Sequence, residues 1–335
     1  MKKFNVAVVG IGMVGQEMLR VLRDRNFPID SIIVLATRDR TETIDGVDYT
    51  VRKICNEAFD GIDIAIFAGT EGASGASQVY GWDAVKGGTV VIDNGNDFRM
   101  DDRVPLVVPE VNGDALTDHQ GFVSNPNCST IQMVAALGPL HREFGLKRVV
   151  VSTYQSVSGT GRGGVAELKE QMKNPEAKPD VYPYPILGNL IPQISSLKDE
   201  FPGYYNEEIK MIKETRKILN ATELAVSATC VRVPVLKGHA ETVNAEFEKP
   251  VSVDQAREVL AGAEGVEVMD DAANGVYPTP LMAAGKDPVY VGRMRKDPSV
   301  ANGLDMWVVA DNIRKGAALN AVQIAEKMVE MDLIK

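Results

Sequence analysis

Cysteine is scarce: Cys55, Cys128 and Cys230 are too few and too scattered over 335 residues for a disulfide framework or a zinc site, and no metal is expected. A reducing cytoplasm is the simplest setting for such thiols. Basic residues are outnumbered, 36 against 46 acidic ones, and the net charge of −10 without a basic run argues against a nucleic-acid partner. No apolar stretch approaches the roughly 18 residues of a membrane span, so no membrane partner is expected. The opening Met1-Lys2-Lys3 and its apolar run look superficially like a signal peptide. Asn5, Gly10, Gly12 and Gly15 interrupt that run, it passes into Gln16-Glu17, and a small-residue cleavage site is lacking, so none is expected. Internal repeats and low-complexity tracts are also missing. What is left is ordinary globular composition, 44% hydrophobic and 24% charged, in a chain long enough for two domains.

Against that background one stretch stands out, Ser124-Asn125-Pro126-Asn127-Cys128-Ser129-Thr130-Ile131-Gln132-Met133. Pro126 disfavours a helix before it, Asn127 and Ser129 are capping residues, and an apolar helical pattern begins at Ile131. Cys128 is therefore expected at a helix N-terminus, where unpaired N–H groups and the macrodipole stabilise a thiolate. The sequence points to a nucleophile.

The rest supplies a context for it. Phe4 to Val9 reads as a buried strand, followed by Gly10-Ile11-Gly12-Met13-Val14-Gly15, an amphipathic helix and a second strand, Ser31 to Ala36. Strand, GxGxxG, helix, strand is the Rossmann dinucleotide-binding pattern, in which Gly10, Gly12, Met13, Val14 and Gly15 would lie against the pyrophosphate. No acidic residue ends the second strand. The loop Thr37-Arg38-Asp39-Arg40-Thr41 offers Thr37, Arg38, Arg40 and Thr41 to a 2′-phosphate, which favours NADP, whereas Asp39 turns outward or accepts the ribose. Ile62 to Ala68 and Thr89 to Ile92 read as further parallel strands, with the turn Gly69 to Gly75 between them. Asp93 to Arg99 follows the latter strand, and Arg99 is a candidate anion ligand.

At Arg148 the pattern restarts with a strand to Gln155, a second glycine-rich loop over Ser156 to Gly164 and a helix. Residues 174–206 show no period and read as an irregular arm; Asn206 to Lys217 reads as a polar helix. Val226 to Val235 and Thr242 to Phe247 alternate around Lys237-Gly238-His239, predicting an antiparallel pair with Arg232 and His239 on one wall. Asp305 to Ala310 is one more strand before a buried final helix. The chain has only three histidines; His119 and His141 flank helices, and His239 is the natural proton shuttle for a reactive thiol. Thiolate, base and nicotinamide together suggest aldehyde oxidation through a thioester, with Arg99 and Lys210 suited to phosphate and Arg232 to a substrate carboxylate.

SNPNCSTIQM, YQSVSGTGRGG, DFRM, EEIKMIKETRKI, CVRVPVLKGHAETV, YPTPL and ADNIRKGAALNAVQIAE closely resemble, in the same order, the aspartate-β-semialdehyde dehydrogenases. The resemblance implies reversible NADPH-dependent reduction of L-4-aspartyl phosphate to L-aspartate 4-semialdehyde and phosphate, in lysine (diaminopimelate), methionine and threonine biosynthesis. By motif, it implies Cys128 as the thioester-forming nucleophile, His239 as acid/base and Gln155 as the residue orienting the intermediate. Arg99 and Lys210 become phosphate ligands, and Asn127 supports the phosphate or oxyanion. Arg232 takes the substrate carboxylate, Glu208 its ammonium, and Ser158, Gly159 and Asn312 line the nicotinamide. The implied α/β fold is a Rossmann-type NADP-binding domain, residues 1–127 plus 313–335, and a glyceraldehyde-3-phosphate-dehydrogenase-like α+β catalytic and dimerisation domain, 128–312, in a cytoplasmic homodimer. The chain departs from the family's usual GxTGxVG and Ser-Ala-Gly-Gly-Ser patterns, reading GIGMVG and AGTEGASG. Two rival readings remain: another acyl-phosphate or aldehyde dehydrogenase, and a nucleotide-binding sensor that has lost chemistry.

Overall fold

The computed structural model describes residues 2–69 and 72–334; Thr70 and Glu71 of the turn after the Ile64–Phe67 strand lie outside them. Two compact units emerge, Met1–Pro126 with Ala317–Lys335, and Asn127–Gly316.

The first unit is built on a seven-stranded sheet, in the order β3-β4-β2-β1-β5-β6-β7. Its strands are β1 (Phe4–Val9), β2 (Ile29–Ala36), β3 (Arg40–Ile44), β4 (Val47–Lys53), β5 (Ile64–Phe67), β6 (Val90–Asp93) and β7 (Phe122–Ser124). All neighbours are parallel except β3, which runs antiparallel to β4. Both faces of β1 are covered, which is why it reads as an unbroken apolar run. Val6 and Val8 join Leu19, Leu22 and the final helix's Val322, Ala325 and Met328. Ala7 and Val9 face a second cluster with Phe67, Phe98 and Phe122.

The sequence reading missed β3 and β4, taking Arg40 and Thr41 for a loop. They form an edge hairpin whose turn residues Asp45 and Gly46 both have positive φ (50° and 79°), the geometry that Asp-Gly turns supply. Asp39 is fixed by this hairpin: its Oδ1 accepts from the Lys53 N–H at 2.6 Å.

At the C-terminal end of β6, buried Asp93 accepts from the Gly95 N–H at 2.8 Å. Burial pushes its carboxyl up to about 6, against the opposing pull of Gly95, Ser77 and Arg99. A folded-state pKa above the unfolded one means the folded chain holds this proton more tightly, so the contribution to stability is full below about pH 4 and is lost as pH rises through about 6. Asp93→Asn is therefore expected to raise the thermal midpoint at pH 7 to 8, with the gain vanishing below about pH 4 in melts across that range.

The second unit carries a six-stranded sheet, order β11-β12-β13-β10-β8-β9. The strands are β8 (Leu146–Gln155), β9 (Ala225–Arg232), β10 (His239–Phe247), β11 (Val266–Val268), β12 (Val289–Lys296) and β13 (Gly303–Ala310). Here the sequence expectation needs correcting. The two alternating segments around Gly238 are not a hairpin: β8 lies between them, parallel to β9 and antiparallel to β10. Their connection is tied across the end of β8, with Val233 N–H donating to Gln155 O and Val157 N–H to Val235 O, both at 2.9 Å. Pro234 has no N–H to extend a ladder, so β9 stops at Arg232. The segment 174–205 is irregular, as read. Helix Arg162–Lys173 holds it through Gln171, whose Oε1 accepts from Ile186 and Leu187 N–H, while Ile186 and Ile191 pack on Val157 and Leu168.

Candidate active site

Asn127 caps the 17-residue helix Cys128–Phe144: its Oδ1 accepts from the N–H groups of Ser129 (3.0 Å) and Thr130 (3.3 Å). Cys128 is thus the first helical residue, where the positive end of the helix macrodipole favours an anion. Of the three free cysteines, Cys55 is exposed, Cys128 half-buried and Cys230 buried. Burial drives the Cys230 thiol well above its ordinary range, so it is inert. Backbone crowding fixes Cys128 further. A Cβ on Gly316 would lie 2.8 Å from the Cys128 Cβ, so only glycine lets that turn approach. The sequence reading missed Gly316.

Around this helix start the second unit gathers a buried polar network. The Gln155 amide Nε2, at the end of β8, donates to Ser129 Oγ at 2.7 Å and to Glu207 Oε1 at 3.3 Å. Asn127 Nδ2 donates to the same Glu207 oxygen at 2.9 Å, and Lys210 Nζ stands 3.7 Å from the other. Burial pushes the Glu207 carboxyl up, but Lys210, Asn127, Arg232 and Gln155 outweigh it and hold the group below its usual range, as a carboxylate. Asn127's own N–H donates to Glu214 at 2.7 Å.

Glu208, the residue named from sequence, faces elsewhere. Its two oxygens accept from the N–H groups of Tyr205 (2.8 Å) and Cys230 (3.1 Å), capping the helix Asn206–Ile218 and pinning it to β9. The helical period was the available signal: Glu207 and Lys210 are an i, i+3 pair on one face, and Glu208 lies off it.

Arg232, at the end of β9, is buried and donates from Nη1 to Ser156 O at 2.7 Å. His239 opens β10 fully buried, with its Nδ1 accepting from the Ser156 N–H at 3.0 Å and its Nε2 without a protein partner. Burial, then the Arg232 charge, hold its pKa well below the ordinary imidazole value, so it is neutral. Behind it, Asn312 Oδ1 accepts from Ser156 Oγ (3.2 Å), Ser158 Oγ (3.1 Å) and the Gly238 N–H (3.0 Å), and Asn312 Nδ2 is a second buried donor without a protein partner. Ser156 was not anticipated. A Cβ on Gly159 would come within 2.8 Å of Arg232 Nη1 and 3.1 Å of His239 Nε2. Gly159→Ala is expected to displace both tips and lower kcat/KM between about ten- and a hundredfold, with little change in the thermal midpoint. His119 and His141 serve turns, each accepting a backbone N–H on Nδ1.

The remaining expected site residues lie in the first unit. Arg99 is buried and donates to the carbonyls of Asn125 (2.9 Å) and Asn94 (2.8 Å). Gly10 has a φ of +101°, and a Cβ on Gly15 would run into the Gly10 carbonyl oxygen. Helix Met13–Asp24 starts after Gly12 without a side-chain cap or an acidic residue in its first turn, so its N–H groups stay open to an anion. Val14 packs into the core, leaving its N–H as the group on offer. Thr37 and Arg38 are exposed, and Arg40 Nε pairs with Glu42 at 2.9 Å. Among the described residues no cluster of ligating side chains could hold a metal ion, and no helix is long and apolar enough to cross a membrane.

Residues 5–119 match the family description "Semialdehyde dehydrogenase, NAD binding domain", and residues 137–315 match "Semialdehyde dehydrogenase, dimerisation domain". The aspartate-semialdehyde dehydrogenase of Aquifex aeolicus is 48% identical over 99% of both chains, and that of Bacillus subtilis 45% identical over 98% of this chain and 99% of its own. The crystal structure of aspartate semialdehyde dehydrogenase II complexed with ASA from Vibrio cholerae aligns with a TM-score of 0.92 at 42% identity, covering 98% of this chain and 99% of that one. The chain therefore belongs to the aspartate-semialdehyde dehydrogenase family of oxidoreductases.

Proposed function

We propose that the chain reduces L-4-aspartyl phosphate to L-aspartate 4-semialdehyde and phosphate, reversibly and with NADPH, through a thioester on Cys128. The observation that carries this reading is the half-buried thiol at a helix start, flanked by Asn127 and Ser129, which one hydrogen-bond network joins to Gln155 and Glu207. Cys128 attacks the acyl carbon and carries the aspartyl group. Gln155, locked by Ser129 and Glu207, orients that acyl group. Buried Arg232 meets the α-carboxylate and the Glu207 carboxylate meets the ammonium, in place of Glu208, whose oxygens are committed to backbone N–H groups. Lys210 and Arg99 receive the phosphate. Asn127 contributes mainly by capping the helix and fixing Glu207.

The first unit suits a dinucleotide, since the crowded Gly10–Gly15 turn and the uncapped helix start make a cradle that added side chains would fill. The N–H groups around Gly12, Met13 and Val14 would hold the pyrophosphate. Thr37, Arg38, Arg40 and Thr41 would meet a 2′-phosphate; Asp39, its Oδ1 taken up by Lys53, leaves the position to them. When bound, the nicotinamide supplies or accepts the hydride. Asn312 Nδ2, with Ser158 and Gly159 beside it, is a donor for the nicotinamide amide. We place the enzyme in the cytoplasm, in the lysine (diaminopimelate), methionine and threonine routes. A homodimer is supported by the dimerisation-domain match and by exposed Tyr277 and Leu281.

The test is phosphate-dependent reduction of NADP⁺ and NAD⁺ in parallel, across several semialdehydes. Preference for aspartate semialdehyde and NADP⁺ is expected; equal rates with unrelated semialdehydes would contradict the substrate assignment.

A further inference from the structure

We propose that Glu214 is a positioning residue: by holding the main chain of Asn127, it sets the Cys128 thiol in register with the side chains that receive the substrate. The inference deepens the thioester reading above and rests on it.

The helix Asn206–Ile218 carries Glu207, Lys210 and Glu214 at successive spacings of three and four residues, in one stripe on one face. In that reading Glu207 and Lys210 meet the substrate. Glu214, a turn beyond Lys210, is buried and reaches the start of the helix Cys128–Phe144 instead. Its Oε2 accepts from the Asn127 N–H at 2.7 Å, while Glu207 Oε1 accepts from Asn127 Nδ2 at 2.9 Å. The Glu207 contact ends on a side chain that can turn. The Glu214 contact ends on the main chain, one residue from the Cys128 Cα.

The N–H of an N-cap residue lies outside its helix, and when buried it needs an acceptor. In a capping box the third helical residue, a Glu or Gln, reaches back to supply one. Here that residue is Thr130, whose Oγ1 makes no such bond. Glu214 provides the acceptor from a different helix. A local box would satisfy the N–H equally well without tying two helices together, and an apolar residue would fill the space without the cost of burying a charge. What Glu214 adds is registration: the helix with the nucleophile is fastened to the helix with Glu207 and Lys210. The other polar atoms of Asn127 pass that constraint on, since Oδ1 holds Ser129 and Thr130 and its carbonyl accepts from the Ile131 N–H at 2.9 Å. Attack on a bound acyl group needs the reacting atoms about 3–3.5 Å apart, and a shift of about 1 Å can cost about a hundredfold.

Two conservative variants of the full chain separate reach from charge. Glu214→Gln keeps the length and an oxygen acceptor and loses the charge; Glu214→Asp keeps the charge and withdraws the oxygens by one methylene. The readout is the phosphate burst from β-aspartyl phosphate without nucleotide, which needs no hydride. At saturating substrate the Gln variant is expected within about fivefold of the parent, and the Asp variant at least about tenfold below the Gln variant. The half-saturating substrate concentration is expected to move by less than about threefold, because Glu207 and Lys210 are untouched. Alkylation of Cys128 by iodoacetamide needs no alignment with substrate and is expected within about threefold in all three proteins. Equal bursts in the two variants, or a faster one in the Asp variant, overturn the positioning role and leave the thioester reading standing. Alkylation that falls in step with the burst does the same. Where melting profiles show the Asp variant unfolded, the Gln variant decides alone, and slowing beyond about tenfold overturns the proposal. A parent enzyme with no burst overturns both.

Discussion

Cys128→Ser is expected to lower turnover by about ten-thousandfold or more while leaving the fold and the thermal midpoint nearly unchanged. Serine preserves the size of the side chain and the helix start, so the Asn127 cap and the close approach of Gly316 survive. What changes is ionisation. A thiol at a helix N-terminus reaches the thiolate near neutral pH, whereas a serine hydroxyl needs a base to remove its proton. The Glu207 carboxylate is engaged by Asn127 and Gln155, and the His239 Nδ1 by the Ser156 N–H. Steady-state rates with circular dichroism melts check this. Comparable turnover in the serine variant would mean that no covalent acyl enzyme is needed.

The second large effect separates two adjacent carboxylates. Glu207→Gln is expected to lower kcat/KM by about a hundredfold, chiefly through KM, because it removes the charge that balances Lys210 and would meet the substrate ammonium. Glu208→Gln is expected to leave kcat and KM within about twofold and to lower stability by about 1 kcal/mol, as one oxygen acceptor for Tyr205 or Cys230 is lost. Kinetics and denaturant melts on the two variants read the difference. The reverse pattern would restore Glu208 to the site.

That pair also shows how far the sequence was legible. Residue type and order were enough to pick out a thiol at a helix start, a buried parallel sheet behind a glycine turn, and the arginine that ends β9 and the histidine that opens β10. Side-chain direction within EEIK was not read, although helical spacing contained it. The hairpin error had a different origin. Alternation in Val226–Val235 and Thr242–Phe247 reports a strand facing a core, not which strand is its neighbour, and β8 could claim both. The β12 strand escaped because Arg293 has a φ of 53° and the pairing with β13 shifts register between Gly292 and Arg295, breaking the period that would have marked it. The β3–β4 hairpin was readable from Asp45-Gly46, but its strands are mostly exposed and polar, and hydrophobic pattern gave no lead. Ser156 and Gly316 act through backbone position. No side-chain chemistry announces a residue whose N–H holds a histidine ring, or one whose missing Cβ makes room for a nucleophile.

Cys128 is the proposed carrier of the aspartyl group between phosphate release and reduction. The most direct measurement is the mass of the protein quenched after mixing with β-aspartyl phosphate in the absence of nucleotide, followed by peptide mapping. One aspartyl adduct per chain is expected, on the peptide containing Cys128 and absent from Cys128→Ser, formed together with an equal amount of phosphate. Turnover with nucleotide but no adduct on Cys128 would contradict it.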